Sequence, residues 1–270
     1  MSGSMSRTGA IVCGVDGSPA SLVAASVARE FATALDRRLV LTHAVQTPEP
    51  LPFGGTWMRE AQSARAACDA RAMLDHIAPE ATHRVALADP AQYLEVVGRG
   101  EEAELFVIGT RRPRGGQEEP SRTLADELLA TARCPVMLVS PAVIGSVTRF
   151  GVIVCGHDGS STADDLAAVA RSFGDRLGLT ARSVFVVPPR GWYDAPPPSV
   201  EVLRGDPIVE LTRRACLGDV RMVVVGAGRP GPWSTQSATA LAHAARVPVV
   251  LVPATATTRP RSPGAQVAHV

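Results

Sequence analysis

The sequence predicts an α/β fold built from two repeated units, each a doubly wound parallel sheet of five strands. First, the segment 11–18 (Ile-Val-Cys-Gly-Val-Asp-Gly-Ser) returns at 153–160 with His157 in the position of Val15, an offset of 142 residues. Second, short β-branched runs alternate with longer Ala- and Leu-rich stretches, as in parallel sheets with crossover helices. Third, 270 residues suffice for two domains of ordinary size. We therefore expect domains over 1–141 and 149–254 and a disordered tail over 255–270.

The strands of the first unit are short runs in which β-branched and other apolar residues predominate. They are predicted over 11–15, 39–45, 83–88, 104–109 and 135–139. Alternating with longer Ala- and Leu-rich stretches, these runs suit the strands of a parallel sheet.

Four helices are predicted between these strands. Their segments are 18–36, 57–78, 90–100 and 122–132. Ser18 is a suitable N-cap for the first helix, because its hydroxyl can accept a backbone N–H of the first turn. For the fourth helix, Ser121 and Thr123 are alternative N-caps.

The second unit repeats these elements with two deletions. The Asp-Pro pair at 89–90 returns at 206–207, an offset of 117, so 25 residues (142 minus 117) are missing before it. This loss coincides with the helix over 57–78. We therefore expect the second domain to lack that helix and to have a proline-rich loop over 188–198 in its place. The last strand returns at an offset of 113, so four more residues (117 minus 113) are missing before it.

Composition and charge exclude several classes of protein. Hydrophobic residues make up 46% and charged residues 20%, which is typical of a globular protein. The 27 basic residues are all Arg, which excludes the phosphate-binding lysine of a P-loop and any Schiff-base lysine. A net charge of +1 gives no electrostatic footprint for nucleic acid or an anionic membrane.

The five cysteines are far apart and include no C-x-x-C pair. They are Cys13, Cys68, Cys134, Cys155 and Cys216. A zinc site of closely spaced ligands is therefore unsupported, and we predict no metal. Three of the thiols lie in apolar, strand-like runs, so we expect reduced cysteines and a cytoplasmic protein. No apolar run approaches the ~20 residues of a membrane span.

Several short motifs, in a fixed order and repeated, point to a known family. They are the Val-Asp-Gly-Ser turn at 15–18, the Asp-Pro pair at 89–90 and the run from 107–110 to 134–139. Together they resemble the universal stress protein family, twice over nearly the whole chain, so the chain is identified as a tandem two-domain member. The resemblance implies Rossmann-like sheets with strand order 3-2-1-4-5 and a bacterial type of stress-response regulator.

The same resemblance implies how the two domains meet. Domains of this family usually pair through their last strands, so 135–139 and 248–252 are expected to meet edge to edge as an intramolecular pseudo-dimer. This pairing would also cover two aggregation-prone sheet edges. Whether the chain forms a homo-oligomer beyond that stays open.

Some members of the family bind ATP through Gly-x-x-Gly, nine residues and then Gly-Ser/Thr, and the resemblance places this pattern in the first domain. Gly109 and Thr123 match it, whereas Arg112 and Arg122 stand where it has glycine. Glycines let the backbone approach phosphate oxygens, and a helix N-terminus offers free N–H groups. The loop arginines either contact phosphate through their side chains or form a solvated loop. ATP binding is therefore expected to be weak or lost.

The resemblance also places an adenine nucleotide beside the ends of the first two strands. It implies contacts with Val15, Asp16 and the backbone of Ala44. Asp16 has an alternative role, because an Asp in Asp-Gly-Ser can organise a turn through its own side chain whatever the ligand. The second domain has a shortened, proline-containing loop over 230–234, so we expect nucleotide in the first domain only.

Catalysis is not expected. The histidines lie in predicted strands, helices or the tail, and no Ser or Cys nucleophile stands in a recognisable elbow, so we predict no catalytic residue. The leading interpretation is a non-catalytic stress-response regulator with a degenerate ATP-type site. The alternatives are an interaction scaffold without nucleotide and, less favoured, an enzyme on a related nucleotide-binding fold.

Overall fold

The structure is a computed structural model that describes part of the chain in detail. The described residues are 9–46, 56–110, 123–148, 150–157, 163–187, 200–227 and 235–253. The strands of the first half are β1 (Ala10–Gly14), β2 (Arg38–Val45), β3 (Thr82–Leu87), β4 (Ala103–Gly109) and β5 (Val136–Val139). Its helices are α1 (Pro19–Ala34), α2 (Thr56–Ile77), α3 (Pro90–Gly100) and α4 (Leu124–Thr131).

The second half follows the same order of elements with one helix fewer among its described residues. Its strands are β6 (Val152–His157), β7 (Thr180–Val187), β8 (Glu201–Arg204), β9 (Val220–Ala227) and β10 (Val249–Pro253). Its helices are α5 (Ala163–Leu177), α6 (Pro207–Ala215) and α7 (Thr235–Ala244). No helix is described between β7 and β8, and the proline-rich loop expected there lies outside the described residues, as does the tail over 255–270.

The strand order confirms the predicted topology in both halves. The order is β3-β2-β1-β4-β5-β10-β9-β6-β7-β8, so each half reads 3-2-1-4-5 in its own numbering. Pairing within each half is parallel, as the crossover helices require. The two expected sheets of five strands are joined into one sheet of ten, because β5 and β10 pair with each other.

The pairing of β5 with β10 is antiparallel and symmetric. Met137 lies opposite Val250, with Leu138 opposite Val249 and Val136 opposite Leu251. Because Val250 is the counterpart of Met137 at the offset of 113, the register is centred on a residue and its own counterpart. All residues of both strands are buried. The expected contact between these edges is thus present in the structure.

A second contact between the halves repeats this symmetry. Phe31 of α1 and Phe173 of α5 are counterparts at the offset of 142, and their rings meet edge to face with centroids 6.4 Å apart. Arg176 adds an ion pair to Glu104 across the same boundary, at 3.2 Å. Buried aromatic pairs of this geometry stabilise beyond the area that they bury.

The sheet has a core on each face, which follows from the alternation of side chains along its strands. Ile11 and Cys13 face one core with α1, α2 and α5, whereas Val12 faces the other with α3, α4, α6 and α7. Because helices cover both faces of the sheet, a ligand can reach it at the loops that follow the carboxyl ends of the parallel strands. The candidate site lies among these loops.

Candidate functional site

The candidate site lies at the carboxyl ends of β1 and β4, two neighbouring strands in the middle of the first half. Gly14 of β1 is aligned with Ile108 of β4. The chain leaves β1 through α1 towards β2 and leaves β4 through α4 towards β5, in opposite directions along the sheet. Ligands of doubly wound folds bind at such a reversal of strand order.

Asp16 follows β1 and organises the turn into α1. One carboxylate oxygen accepts the N–H of Ser18 at 2.9 Å, and the hydroxyl of Ser18 accepts the N–H of Ser21 at 3.3 Å to cap the helix. Gly17, between them, has a φ of +79°, a conformation that favours glycine. Asp16 therefore organises this turn through its own side chain, which is the alternative role that the sequence suggested. The side chain is exposed at the edge of the sheet, where a ligand could reach it.

Val15 uses its backbone groups within the protein. Its N–H donates to the carbonyl of Thr42 at 2.8 Å, and its carbonyl accepts from Nδ1 of His43 at 2.6 Å. The N–H is thereby fully used. His43 was not expected to have this role, because a histidine within a strand run gives no sign of which carbonyl its ring will reach.

Ala44 follows His43 on β2 and is aligned with Ala86 of β3. It is partly buried, and its methyl group offers no polar contact. Together with Val15 and Asp16 it borders the same end of the sheet, as the family resemblance implied. Its use by a nucleotide stays a prediction.

Gly109 ends β4, and its lack of a side chain is explained by helix packing. A Cβ at this position would lie 2.5 Å from the backbone carbon of Ala20 and 2.6 Å from the nitrogen of Ser21. The first turn of α1 therefore rests directly on β4. This contact requires glycine whether or not phosphate binds, so Gly109 alone is weak support for a phosphate cradle.

Thr123 is the N-cap of α4 and forms a capping box with Asp126. Its N–H and hydroxyl donate to Asp126 Oδ2 at 2.8 and 2.7 Å, and its hydroxyl oxygen accepts the N–H of Asp126 at 3.2 Å. A carboxylate of the chain thus already lies at the helix N-terminus, where a phosphate would bind. Arg112 and Arg122 lie outside the described residues.

The corresponding region of the second half is described only in part. β9 ends at Ala227 and α7 begins at Thr235, and the shortened loop between them lies outside the described residues, as does Asp158. At Gly226 a Cβ would lie 3.2 Å from a side-chain carbon of Leu166, a milder approach than at Gly109.

The thiols of the described residues fall into two groups: Cys13, Cys134 and Cys155 are buried or partly buried, and the other two are exposed. Burial raises the pKa of Cys134 to about 12, and it raises the pKa of Cys13 further, so both remain protonated at neutral pH. Cys68 and Cys216 are exposed and free. No three His, Cys, Asp or Glu side chains of the described ranges are grouped so that they could hold a metal ion. Nor is any helix in those ranges both long and apolar enough to cross a membrane.

Solved structures resemble the chain over most of its length. A universal stress protein from Archaeoglobus fulgidus DSM 4304 is 13% identical with a TM-score of 0.64, covering 90% of this chain and 97% of that one. A protein of unknown function from Pseudomonas aeruginosa PAO1 is 15% identical with a TM-score of 0.58, covering 92% and 93%. At these identities the likeness shows the fold, here over both halves.

Shorter relatives match about half of the chain. A protein of the universal stress protein family from Burkholderia pseudomallei is 26% identical, with a TM-score of 0.36, covering 50% of this chain and 97% of that one. No protein of curated function matches the chain. The model of the universal stress protein family matches residues 8–140, which contain β1 to β5 and the candidate site. Residues 8–140, the first half of the chain, therefore form a domain of the universal stress protein family.

Proposed function

We propose that this member of the universal stress protein family is a non-catalytic stress-response regulator with a degenerate ATP-type site in its first half. Binding of ATP there is weak or lost. The observation that carries the proposal is the capping box at the start of α4, in which Asp126 accepts two hydrogen bonds from Thr123.

The electrostatics of the described site favour this weakening. A phosphate at the start of α4 would meet the carboxylate of Asp126 at the helix end that attracts anions, so two negative groups would compete for one position. Asp16, which lies at the same edge of the sheet, is acidic as well. The arginines between Gly109 and Thr123 are the groups that could offset this repulsion.

An interaction scaffold without nucleotide is the second candidate, and the packing around β1 and β4 favours it. The N–H of Val15 is used by Thr42, and Gly109 is covered by the first turn of α1. Gly109 therefore has a structural reason for its residue type, and the backbone N–H of Val15 is not free for a ligand. In either case the joined sheet supports one chain acting as a pseudo-dimer. The absence of nucleic-acid and membrane partners and the cytoplasmic location stay predictions.

Nucleotide analysis of the purified protein tests the proposal. Protein purified without added nucleotide is denatured, and the released small molecules are separated and measured for adenine nucleotides. We expect far less than one adenine nucleotide per chain. A full equivalent of ATP would contradict a weak or lost site. Steady ATP hydrolysis by the purified chain, absent from a mock preparation, would contradict the non-catalytic role.

A further inference from the structure

The connection between the two halves is bound to α1 by hydrogen bonds. The connection is long enough to join β5 to β6 without this contact. It runs over 140–151, from the end of β5 to the start of β6. In the sheet β5 and β6 are separated by β10 and β9, which amounts to three strand spacings or about 14 Å. Twelve extended residues can span about 40 Å, so the connection has ample slack.

Part of this connection is nevertheless built into the core. Residues 140–148, called the strap below, bury Val143 and Val147 in the core that contains Phe31 of the first half and Phe173 of the second. Val147 is 2% exposed. The strap therefore contacts a core that both halves share, and its release would open that core to water.

One carboxylate holds the far end of the strap. Oε1 of Glu30, on α1, accepts the N–H groups of Val147 and Thr148 at 3.1 and 3.0 Å and the hydroxyl of Thr148 at 2.6 Å. The hydroxyl of Ser146 donates to the same oxygen. Partial burial acts to raise the pKa of Glu30, but the hydrogen bonds outweigh it and lower that pKa below its ordinary value. The clamp is thus charged at neutral pH, and hydrogen bonds to charged groups are the stronger kind.

We propose that Glu30 is a clamp that keeps the strap closed against the shared core, and that release of this clamp is the first local opening between the two halves. The four donors lie more than a hundred residues from Glu30 along the chain, so only tertiary folding brings them together. Segments that open locally are those with few buried apolar contacts. Among the described contacts, the strap is held by the Glu30 carboxylate and by the two buried side chains of Val143 and Val147.

Hydrogen exchange on the full chain tests the clamp. In Glu30→Ala we expect the amides of Val147 and Thr148 to exchange about tenfold faster or more, since both lose their acceptor. Glu30→Gln keeps a neutral oxygen and should give an intermediate rate. Glu60→Ala, an exposed position on α2, is the control and should leave these two amides unchanged.

A second variant covers the case in which Glu30→Ala does not fold. Ser146→Ala combined with Thr148→Val removes both hydroxyl donors and leaves the carboxylate in place. Chymotrypsin should then cut after Phe150 at least severalfold faster than in the unmodified protein. Phe150 is exposed, but the protease must also bind the residues before it in extended form, which requires the strap to leave the core. The proposal is overturned if the variants and the control exchange and cleave alike. It is also overturned if amides of β1 and β9 accelerate as much as those of the strap, which would indicate a loss of global stability alone.

Discussion

At the residue scale, Asp126 decides how well the start of α4 can receive phosphate. Its carboxylate accepts two hydrogen bonds from Thr123 and adds a negative charge at the helix N-terminus. Asp126→Asn keeps an acceptor oxygen for the capping box and removes the charge. Since a charge at a helix end is worth about 0.3–1 kcal/mol, and repulsion of phosphate adds to this, we expect ATP to bind about threefold to tenfold more tightly. Calorimetric titration measures the change.

The control for this substitution is Asp175→Asn, an exposed position on α5 in the second half of the chain. It should leave ATP binding unchanged. If Asp126→Asn weakens binding instead, the carboxylate supports the site and the competition argument is wrong.

Arg112 and Arg122, at the glycine positions of the ATP pattern, have two opposing effects on ATP binding. Each adds a side chain where the backbone should approach phosphate, and any positive φ there costs a non-glycine residue about 1 kcal/mol or more. A guanidinium turned inward could return about 1.5–3 kcal/mol per hydrogen bond to phosphate. We expect the steric effect to dominate, because ordering the side chains also costs entropy. Arg112→Gly with Arg122→Gly should therefore tighten ATP binding in a titration at fixed salt. Tighter binding by the unmodified protein would show that the arginines are phosphate ligands.

Glu101 is the described carboxylate with the clearest consequence for stability against pH. It is nearly buried and receives Arg38 at 2.7 Å and Arg84 at 2.6 Å. The hydrogen bond from Arg38, helped by Arg84 and opposed by burial, lowers the pKa of Glu101 below its ordinary value of 4.5. The pKa of Glu101 is lower in the folded chain than in the unfolded chain. Its ion pairs therefore stabilise the fold fully above about pH 4.5, and this stabilisation disappears as the pH falls through the pKa of the folded state.

We expect Glu101→Gln to lower the free energy of unfolding by about 1–2 kcal/mol at pH 7, because both arginines are themselves half exposed. The deficit should shrink as the pH falls below about 4.5. Urea unfolding at a series of pH values measures both effects. A deficit that stays constant down to pH 3 would mean that lost packing, rather than charge, causes it.

At the scale of elements, the contact of α1 with β4 depends on Gly109. A methyl group there would meet the backbone of Ala20 and Ser21 at 2.5–2.6 Å, so α1 would have to move. We expect Gly109→Ala to destabilise the chain by about 1–3 kcal/mol, the usual range for overpacking. Gly100→Ala is the matched control, since a Cβ at Gly100 meets nothing within 4 Å. Thermal or urea unfolding compares them, and equal stability of the two variants would refute the packing explanation of Gly109.

At the scale of the whole molecule, the two halves share a topology and differ in what their loops can hold. Only the first half keeps the nine-residue spacing between Gly-x-x-Gly and the hydroxyl position. We therefore expect calorimetry at high ATP concentration to give at most one site per chain. A stoichiometry of two would contradict this asymmetry, and a control titration with guanidine-unfolded protein should show no binding.

The sequence by itself determined the topology. The repeats and the alternation of apolar runs predicted the strands and the helices, because these patterns depend on local periodicity. The resemblance of the short motifs to the universal stress protein family implied the order 3-2-1-4-5. The sequence also located Asp16, Gly109 and Thr123 at the ends of their elements, since the residues that cap and turn a chain act within a few positions.

The tertiary structure decided what these residues do. The packing of α1 on Gly109, the hydrogen bond from His43 to Val15 and the clamp of Glu30 on the strap join segments far apart in the chain. The symmetric register of Met137 on Val250 likewise exists only once both halves have folded. Such contacts depend on distances between elements, which periodicity does not encode. The physical reason is that local patterns fix where an element begins and ends, whereas its neighbours are fixed by how the faces of the sheet are filled.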